Sequence, residues 1–324
     1  MCSNPGGSGC SGVNKGLEQA LAFLFRSGPC TGIVVGNHTQ NRDQIRQEIE
    51  VLGRFFEFIH HDQLADRMKK KGRRPFCLLT FDDGKKINAL ETAPQLAELG
   101  VPAVFYLVTD AVTTGRALWF DLRNVLLRAP LTDEEKQKIA QLKTLSMDRV
   151  GALLDALAKK YQAAPDMSDP CVAPMSWDDA AVLHEKGFTI GAHTCSHPVL
   201  TRETRESACR EIRDSIAQVS ERIGTRCASF AFPNGSYTDD LASYAQGCGV
   251  SSVMTTDPVW ARPETELWRL PRIDIYTRYT PWKTLVKVAA AKPGYVLKNP
   301  NGTGRAYVTG RKTGFSQSRR PDSG

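Results

Sequence analysis

Two adjacent carboxylates, Asp82 and Asp83, follow an apolar run from Cys77 to Phe81 and precede Gly84. Like charges this close drive one pKa upward unless a cation sits beside them; with a cation both stay ionised, one as a ligand and one as a base. The plainer reading is a pair of helix caps, either carboxylate serving the helix that follows. A second cluster is His193-Thr194-Cys195-Ser196-His197. Its histidines are four apart, and Pro198 discourages helix from running through His197, so a single turn can aim both imidazoles at one point. Two neutral imidazoles and one carboxylate leave a coordination position open, as in a catalytic zinc site and unlike a closed structural one. Alone, such a histidine pair is often incidental. Beside Asp-Asp-Gly at another strand end, it defines a candidate metal site with its own base.

The elements that would position these groups alternate along the chain. Ile33 to Gly36 reads as a buried strand ending at Asn37-His38, and a helix is expected from about Asp43 to Phe56, with Ile45, Ile49 and Leu52 on one face. A second helix starts near Asp62. Pro75 opens the strand to Phe81, Ile87 to Leu99 reads as a helix with Pro94 near a kink, and Ala103 to Val108 is the next strand. Helix formers then dominate an insertion, where Thr132 and Glu135 form a capping box. Strands follow at Phe188 to Ala192, Cys227 to Phe232, Val250 to Thr255 and Ile273 to Ile275, separated by helices. Strand alternating with helix argues for a parallel α/β barrel or doubly wound sheet, with function at the carboxyl ends of strands. Both clusters lie at such ends.

Length and charge narrow the class. The 324 residues accommodate one α/β barrel of about 200 to 250 residues with extensions. The formal charge is +7, but the stretch from Lys292 to Gly324 holds seven basic residues against one acid. The rest of the chain is therefore nearly neutral, and no nucleic-acid partner is expected. Nine cysteines without a CxxC pair point to reduced thiols. No run reaches the roughly 18 apolar residues of a membrane span, and the opening MCSNPGGSGCSG lacks the pattern of a signal peptide, so the expected location is cytoplasmic.

Thr80-Phe81-Asp82-Asp83-Gly84, His193 to His197, and Phe230-Ala231-Phe232-Pro233-Asn234-Gly235, in that order, resemble the three leading motifs of the polysaccharide deacetylases, the NodB-homology group of carbohydrate esterases. The resemblance spans roughly Ile33 to Ile275 and implies a distorted (β/α) barrel with a helical insertion. The expected organisation is an N-terminal extension with a short helix at 1–30, the barrel at 31–291 with its insertion at about 121–175, and a basic, flexible tail at 292–324. It further implies one divalent metal, usually zinc, and hydrolysis of acetyl groups from acetylated sugars. Carried over by position, Asp82 is the general base and Asp83, His193 and His197 are the metal ligands. Thr194 orients a ligand, and a backbone N–H of Pro233-Asn234-Gly235 meets the oxyanion.

Two departures from the motifs stand out. Ala231 and Asn234 occupy places where the family often carries arginine and tyrosine, and Arg272 is the candidate replacement for that arginine. No histidine follows His197 to serve as general acid. In exopolysaccharide deacetylases with a permuted motif order this histidine lies at an early strand end, where His38 stands; Asp274 is the reserve, and His60, His61 and His184 read as helix residues. Trp119, Trp260, Trp268 and Tyr276 are either sugar platforms or core residues. The function implied is removal of N-acetyl groups from an N-acetylated polysaccharide or oligosaccharide. The alternatives are an O-deacetylase and a non-catalytic saccharide-binding relative.

Overall fold

The computed structural model describes residues 15–27, 31–70 and 74–292. Nearly all of the basic tail and most of the N-terminal extension lie outside the described residues. The chain begins with α1 (Lys15–Arg26), β1 (Gly32–Asn37), α2 (Arg42–Gly53), β2 (Glu57–Phe58) and α3 (Leu64–Lys69). It continues through β3 (Phe76–Phe81), α4 (Ala93–Glu98), β4 (Ala103–Leu107) and α5 (Thr109–Thr114). The inserted helices are α6 (Trp119–Leu126), α7 (Asp133–Ala140) and α8 (Met147–Tyr161). Then come α9 (Trp177–Glu185), β5 (Thr189–Ala192), α10 (Arg205–Ile223), β6 (Ser229–Ala231), α11 (Asp239–Gly247), β7 (Ser252–Met254), β8 (Ile273–Asp274) and α12 (Pro281–Ala291).

The strands pair in parallel in the order β7-β6-β5-β4-β3-β1-β8, with β2 beside the start of β3. Leu270, on the segment entering β8, accepts from Thr255 N at 2.8 Å and donates from its own amide to Val253 O at 2.9 Å. The last segment thus lies against β7, and the curled sheet closes on itself as a distorted (β/α) barrel. Because side chains alternate across a strand, each strand feeds two cores. Val34, Leu78, Val104, Tyr106, Ala231 and Met254 fill the barrel. Val35, Leu79, Phe105, Ile190, Phe230 and Val253 pack outward under the helices. The lack of a side chain at Gly191 makes room for Tyr106, since a Cβ there would lie 2.5 Å from its ring.

The same alternation delivers chemistry to the mouth. Asp82 continues the inward row of Leu78 and Thr80, His193 that of Gly191, and Arg272 lies just before β8. The inserted helices α6 to α8 carry a separate small core around Trp119, Leu126, Ile139 and Leu154. Thr132 and Glu135 form their expected capping box.

Two local expectations are refined. The helix expected from Ile87 to Leu99 is present but not α throughout: a π turn at Asn88–Thr92 runs directly into α4, with Pro94 in the first turn of α4. The widened turn carries Asn88 and Thr92 against the loop after β1, where Asn88 Nδ2 donates to His38 O at 2.8 Å and Thr92 Oγ1 to Gln40 O at 2.6 Å. His60 is not inside a helix but caps a 3-10 turn, His61–Gln63. Trp119 begins α6, one short helix after β4. Among the described residues no helix is long and apolar enough to cross a membrane.

Candidate active site

A regular strand would send Asp82 and Asp83 to opposite faces. Asp83 instead adopts φ 71° and Gly84 φ 60°, two successive left-handed residues that swing the second carboxylate into the cleft beside the first. The glycine alone does not make the turn. Neither aspartate serves as a helix cap: Asp82 meets Arg272, and Asp83 points at the histidines. Asp83 Oδ1 lies 3.3 Å from His197 Nε2 and 3.7 Å from His193 Nε2.

The loop between the histidines is as strained as the carboxylate turn. Thr194 and His197 sit at φ 68° and 61°, and Asn234 on the third motif at 54°. With Asp83, these are four of the five non-glycine residues in this region of backbone space among those described. Such strain clusters where a scaffold fixes functional groups. Thr194 Oγ1 accepts from His197 N at 3.0 Å and donates to His193 O, bracing both ends of the loop. Trp119 Nε1 donates to His197 O at 2.9 Å, and Phe120 packs edge-on to its imidazole. Trp119 is buried, so it braces His197 and offers no face to a sugar. Trp260 is core as well, its indole donating to Val288 O. Tyr276 remains exposed just past β8.

The donor set fits a divalent cation. Asp83, His193 and His197 each offer one ligand atom, all within 4.8 Å of one another and all buried. His193 Nδ1 meets Ala231 O at 2.8 Å; a carbonyl only accepts, so Nδ1 carries the hydrogen and Nε2 presents its lone pair to the carboxylate. Burial lowers the His193 pKa to about 4, which keeps the ring neutral and able to ligate. Asp83 Oδ1 has no hydrogen-bond partner despite full burial. Lone pairs facing a carboxylate oxygen repel unless a cation lies between them.

Arg272 occupies the other side of the pair. Its guanidinium donates to both oxygens of Asp82, Nη1 to Oδ1 at 2.7 Å and Nη2 to Oδ2 at 2.6 Å. Burial pushes the Asp82 carboxyl up, and the opposing effects, the charge of Arg272 first among them, more than offset it, holding the group below its ordinary value. The segment entering β8 thus brings a guanidinium onto the Asp82 carboxylate. Behind it Asp274 Oδ1 stands 3.8 Å from Arg272 Nε, and burial raises the Asp274 pKa. Gly36 pairs with Asp274 in the β1–β8 ladder, and a Cβ there would lie 2.5 Å from that carboxylate oxygen.

His38, half-buried just past β1, is close enough for its charge to bear on Asp82, Asp83 and Asp274. His61 and His184 are elsewhere, His61 buried at 2.8 Å from Ser252 Oγ and His184 on α9. The His38 loop rests on a buried network that sequence alone does not reveal. Asn37 Nδ2 donates to Glu48 Oε1 at 3.0 Å, and Gln40 Nε2 to Glu48 Oε2 at 2.6 Å. In the Pro233-Asn234-Gly235 turn, proline has no amide hydrogen, Gly235 N bonds to Phe232 O and Ser236 N to Pro233 O. Asn234 is the residue of the three whose amide is not used within the turn.

The polysaccharide deacetylase family model matches residues 69–253, more than half of the chain, and the chain belongs to that family. The fold is shared with solved deacetylases at low identity. PplD from Streptococcus pyogenes, solved with acetate, is 15% identical and superposes at a TM-score of 0.58, over 81% of this chain and 99% of its own. IcaB from Ammonifex degensii is 18% identical at 0.56, over 82% and 97%. The BpsB deacetylase domain from Bordetella bronchiseptica is 17% identical at 0.53, over 77% and 98%. A search of curated proteins gives no match.

Proposed function

We propose that the protein is a metal-dependent hydrolase that removes N-acetyl groups from an N-acetylated polysaccharide or oligosaccharide, an exopolysaccharide or its precursor being the substrate class. The observation that carries this reading is the division of the aspartate pair: Asp82 is held ionised by Arg272, and Asp83 faces two imidazoles across a space that suits a cation. Asp83, His193 and His197 would hold the ion, zinc being the first choice for one carboxylate and two imidazoles. When bound, such an ion acidifies water and polarises an acyl carbonyl.

The chain's own residues supply the rest. Asp82 accepts the proton of the attacking water, its carboxylate held by the Arg272 fork in one orientation. The Asn234 amide donates to the carbonyl oxygen as negative charge gathers there. His38 delivers a proton to the departing amine, with Asp274 and the Glu48 network fixing its surroundings. The Ala231 carbonyl and Thr194 hydroxyl hold the histidines in register.

The test is acetate release from N-acetylglucosamine oligomers, run beside acetylated xylan, with and without a chelator. Chelator-sensitive release from the amide substrate is expected. Release from the xylan ester alone would overturn the N-acetyl assignment, and absence of metal-dependent release from both would overturn the enzymatic reading.

A further inference from the structure

The loop between the two histidines is gripped from two directions. On one side the amides that open α5 donate to its carbonyls, Thr109 N to Thr194 O at 3.1 Å and Asp110 N to Cys195 O at 3.0 Å. On the other side the loop's own amides need an acceptor. Glu211, in the second turn of α10, provides it. Its Oε2 accepts from Cys195 N at 2.8 Å and from Ser196 N at 2.9 Å, while Oε1 accepts from Ser196 Oγ at 2.7 Å. Two successive amides converging on one carboxylate oxygen form a small concave anion seat, here filled from within the chain.

We infer that Glu211 is a positioning residue for the metal centre: it holds the His193–His197 loop in the strained form that aims both imidazoles at Asp83. The inference rests on the metal reading of that site. Thr194 and His197 both occupy left-handed backbone, which costs energy for residues other than glycine and persists only where the surroundings over-determine it. Relaxing either one would rotate an imidazole away from Asp83. The hydrogen bond from His197 N to Thr194 Oγ1 closes the loop on itself but does not anchor it to the barrel. The α5 amides anchor Thr194 and Cys195 through their carbonyls, and Glu211 anchors Cys195 and Ser196 through their amides. Without that carboxylate, two loop amides lose their acceptor, and the loop gains reason to turn toward water.

The role is a matter of hydrogen-bond acceptance and not of charge alone. Glutamine at this position keeps an oxygen able to accept from both amides; alanine does not. Direct partners of ligating groups typically change metal affinity by about 10- to 100-fold when removed; Glu211 acts one step further out, through the loop backbone, and the low end, about 10-fold, is the expected loss for Glu211→Ala. Zinc affinity, measured by competition with a chromophoric chelator, is the primary readout, and the absorption of the cobalt(II)-loaded protein reports the ligand geometry. Urea denaturation of the metal-free proteins reports the fold. Val219→Ala, which thins the core under the same helix, is the control for simple destabilisation.

The inference expects Glu211→Ala to lose zinc affinity and alter the cobalt spectrum, Glu211→Gln to restore most of both, and Val219→Ala to lower stability with affinity retained. It is overturned if Glu211→Ala binds zinc as the parent does, or if Val219→Ala loses affinity in the same proportion to its loss of stability. Should Glu211→Ala not fold, Ser196→Ala removes one of the three bonds; a several-fold loss of affinity supports the inference, and unchanged affinity overturns it. A parent protein that binds neither zinc nor cobalt overturns the metal reading itself, and the role of Glu211 falls with it. Zinc bound by the parent with equal affinity in every Glu211 variant overturns only the latter.

Discussion

Asp82 joins the two halves of the site, with Arg272 on one side and the candidate metal ligands on the other. If Asp82 takes the proton as proposed, Asp82→Asn should reduce acetate release by about 100- to 10,000-fold, the usual range for a general base. Metal content should persist, since the Asp83, His193 and His197 set is untouched; a fully active Asp82→Asn protein would contradict the assignment. Arg272→Met probes the same carboxylate from the other side. Removing one partner of a buried ion pair should cost about 3–5 kcal/mol in urea denaturation at neutral pH. With the guanidinium gone, burial prevails and the Asp82 pKa rises, so the acid limb of the activity profile should move to higher pH. The sign for stability follows. A depressed carboxyl pKa adds stability above the unfolded value of about 3.9 and loses it as pH falls through the folded value. That contribution should be present in the parent and absent from Arg272→Met.

Between elements, the less obvious support comes from the insertion. Lys85, buried just past the aspartate turn, donates to Asp121 Oδ2 at 2.5 Å and to Val172 O at 3.0 Å, tying the end of β3 to α6 and to the loop that returns from the insertion. Asp121 also accepts from Leu118 N, and its neighbours Trp119 and Phe120 are the residues that brace His197. Lys85→Met should therefore destabilise the protein by about 3–5 kcal/mol, because it strands the Asp121 charge in the interior. Adding Asp121→Leu should recover part of that loss, and strictly additive effects in urea denaturation would refute the coupling. Neither contact can be read from sequence, where Lys85 looks like one more charge in a polar stretch. The aspartate pair and the histidine pair were legible because each lies within one short segment, but the left-handed turns that aim them were not, since contacts from distant elements hold those turns. Arg272 was legible only as a candidate: its partner lies 190 residues away, and the closing of the barrel decides whether they meet. The alternation of strand and helix was legible for the same reason as the motifs. The irregular segment that closes the sheet, the π turn and the short β2 were not, because tertiary contacts and not local propensity hold them.

Across the whole barrel, the interior is not purely apolar. His61 Nε2 shares a hydrogen bond of 2.8 Å with Ser252 Oγ, Ser252 Oγ one of 2.8 Å with Ser229 Oγ, and Ser229 Oγ one of 2.6 Å with Tyr106 OH. The Tyr106 ring in turn lies 6.0 Å from the Arg272 guanidinium carbon and 6.4 Å from the His193 ring. A polar column thus runs through the barrel as far as the Tyr106 hydroxyl, with the Tyr106 ring between it and the active site, and it begins at a histidine that burial keeps neutral. Burial lowers the His61 pKa to about 4, with the Asp62 carboxylate offsetting only part of the effect. The unfolded chain takes up that proton near pH 6.5, so this residue contributes full stability above that pH and loses it as pH falls toward the folded value. Between pH 7 and pH 5 the loss from His61 should amount to about 2 kcal/mol. His61→Gln keeps a hydrogen-bonding group opposite Ser252 but has no proton to gain in this range. Urea denaturation at the two pH values should show a smaller fall in stability for His61→Gln than for the parent, by about that amount. Parallel falls in the two proteins would mean that His61 titrates as it does in the unfolded chain and that the column opens to water.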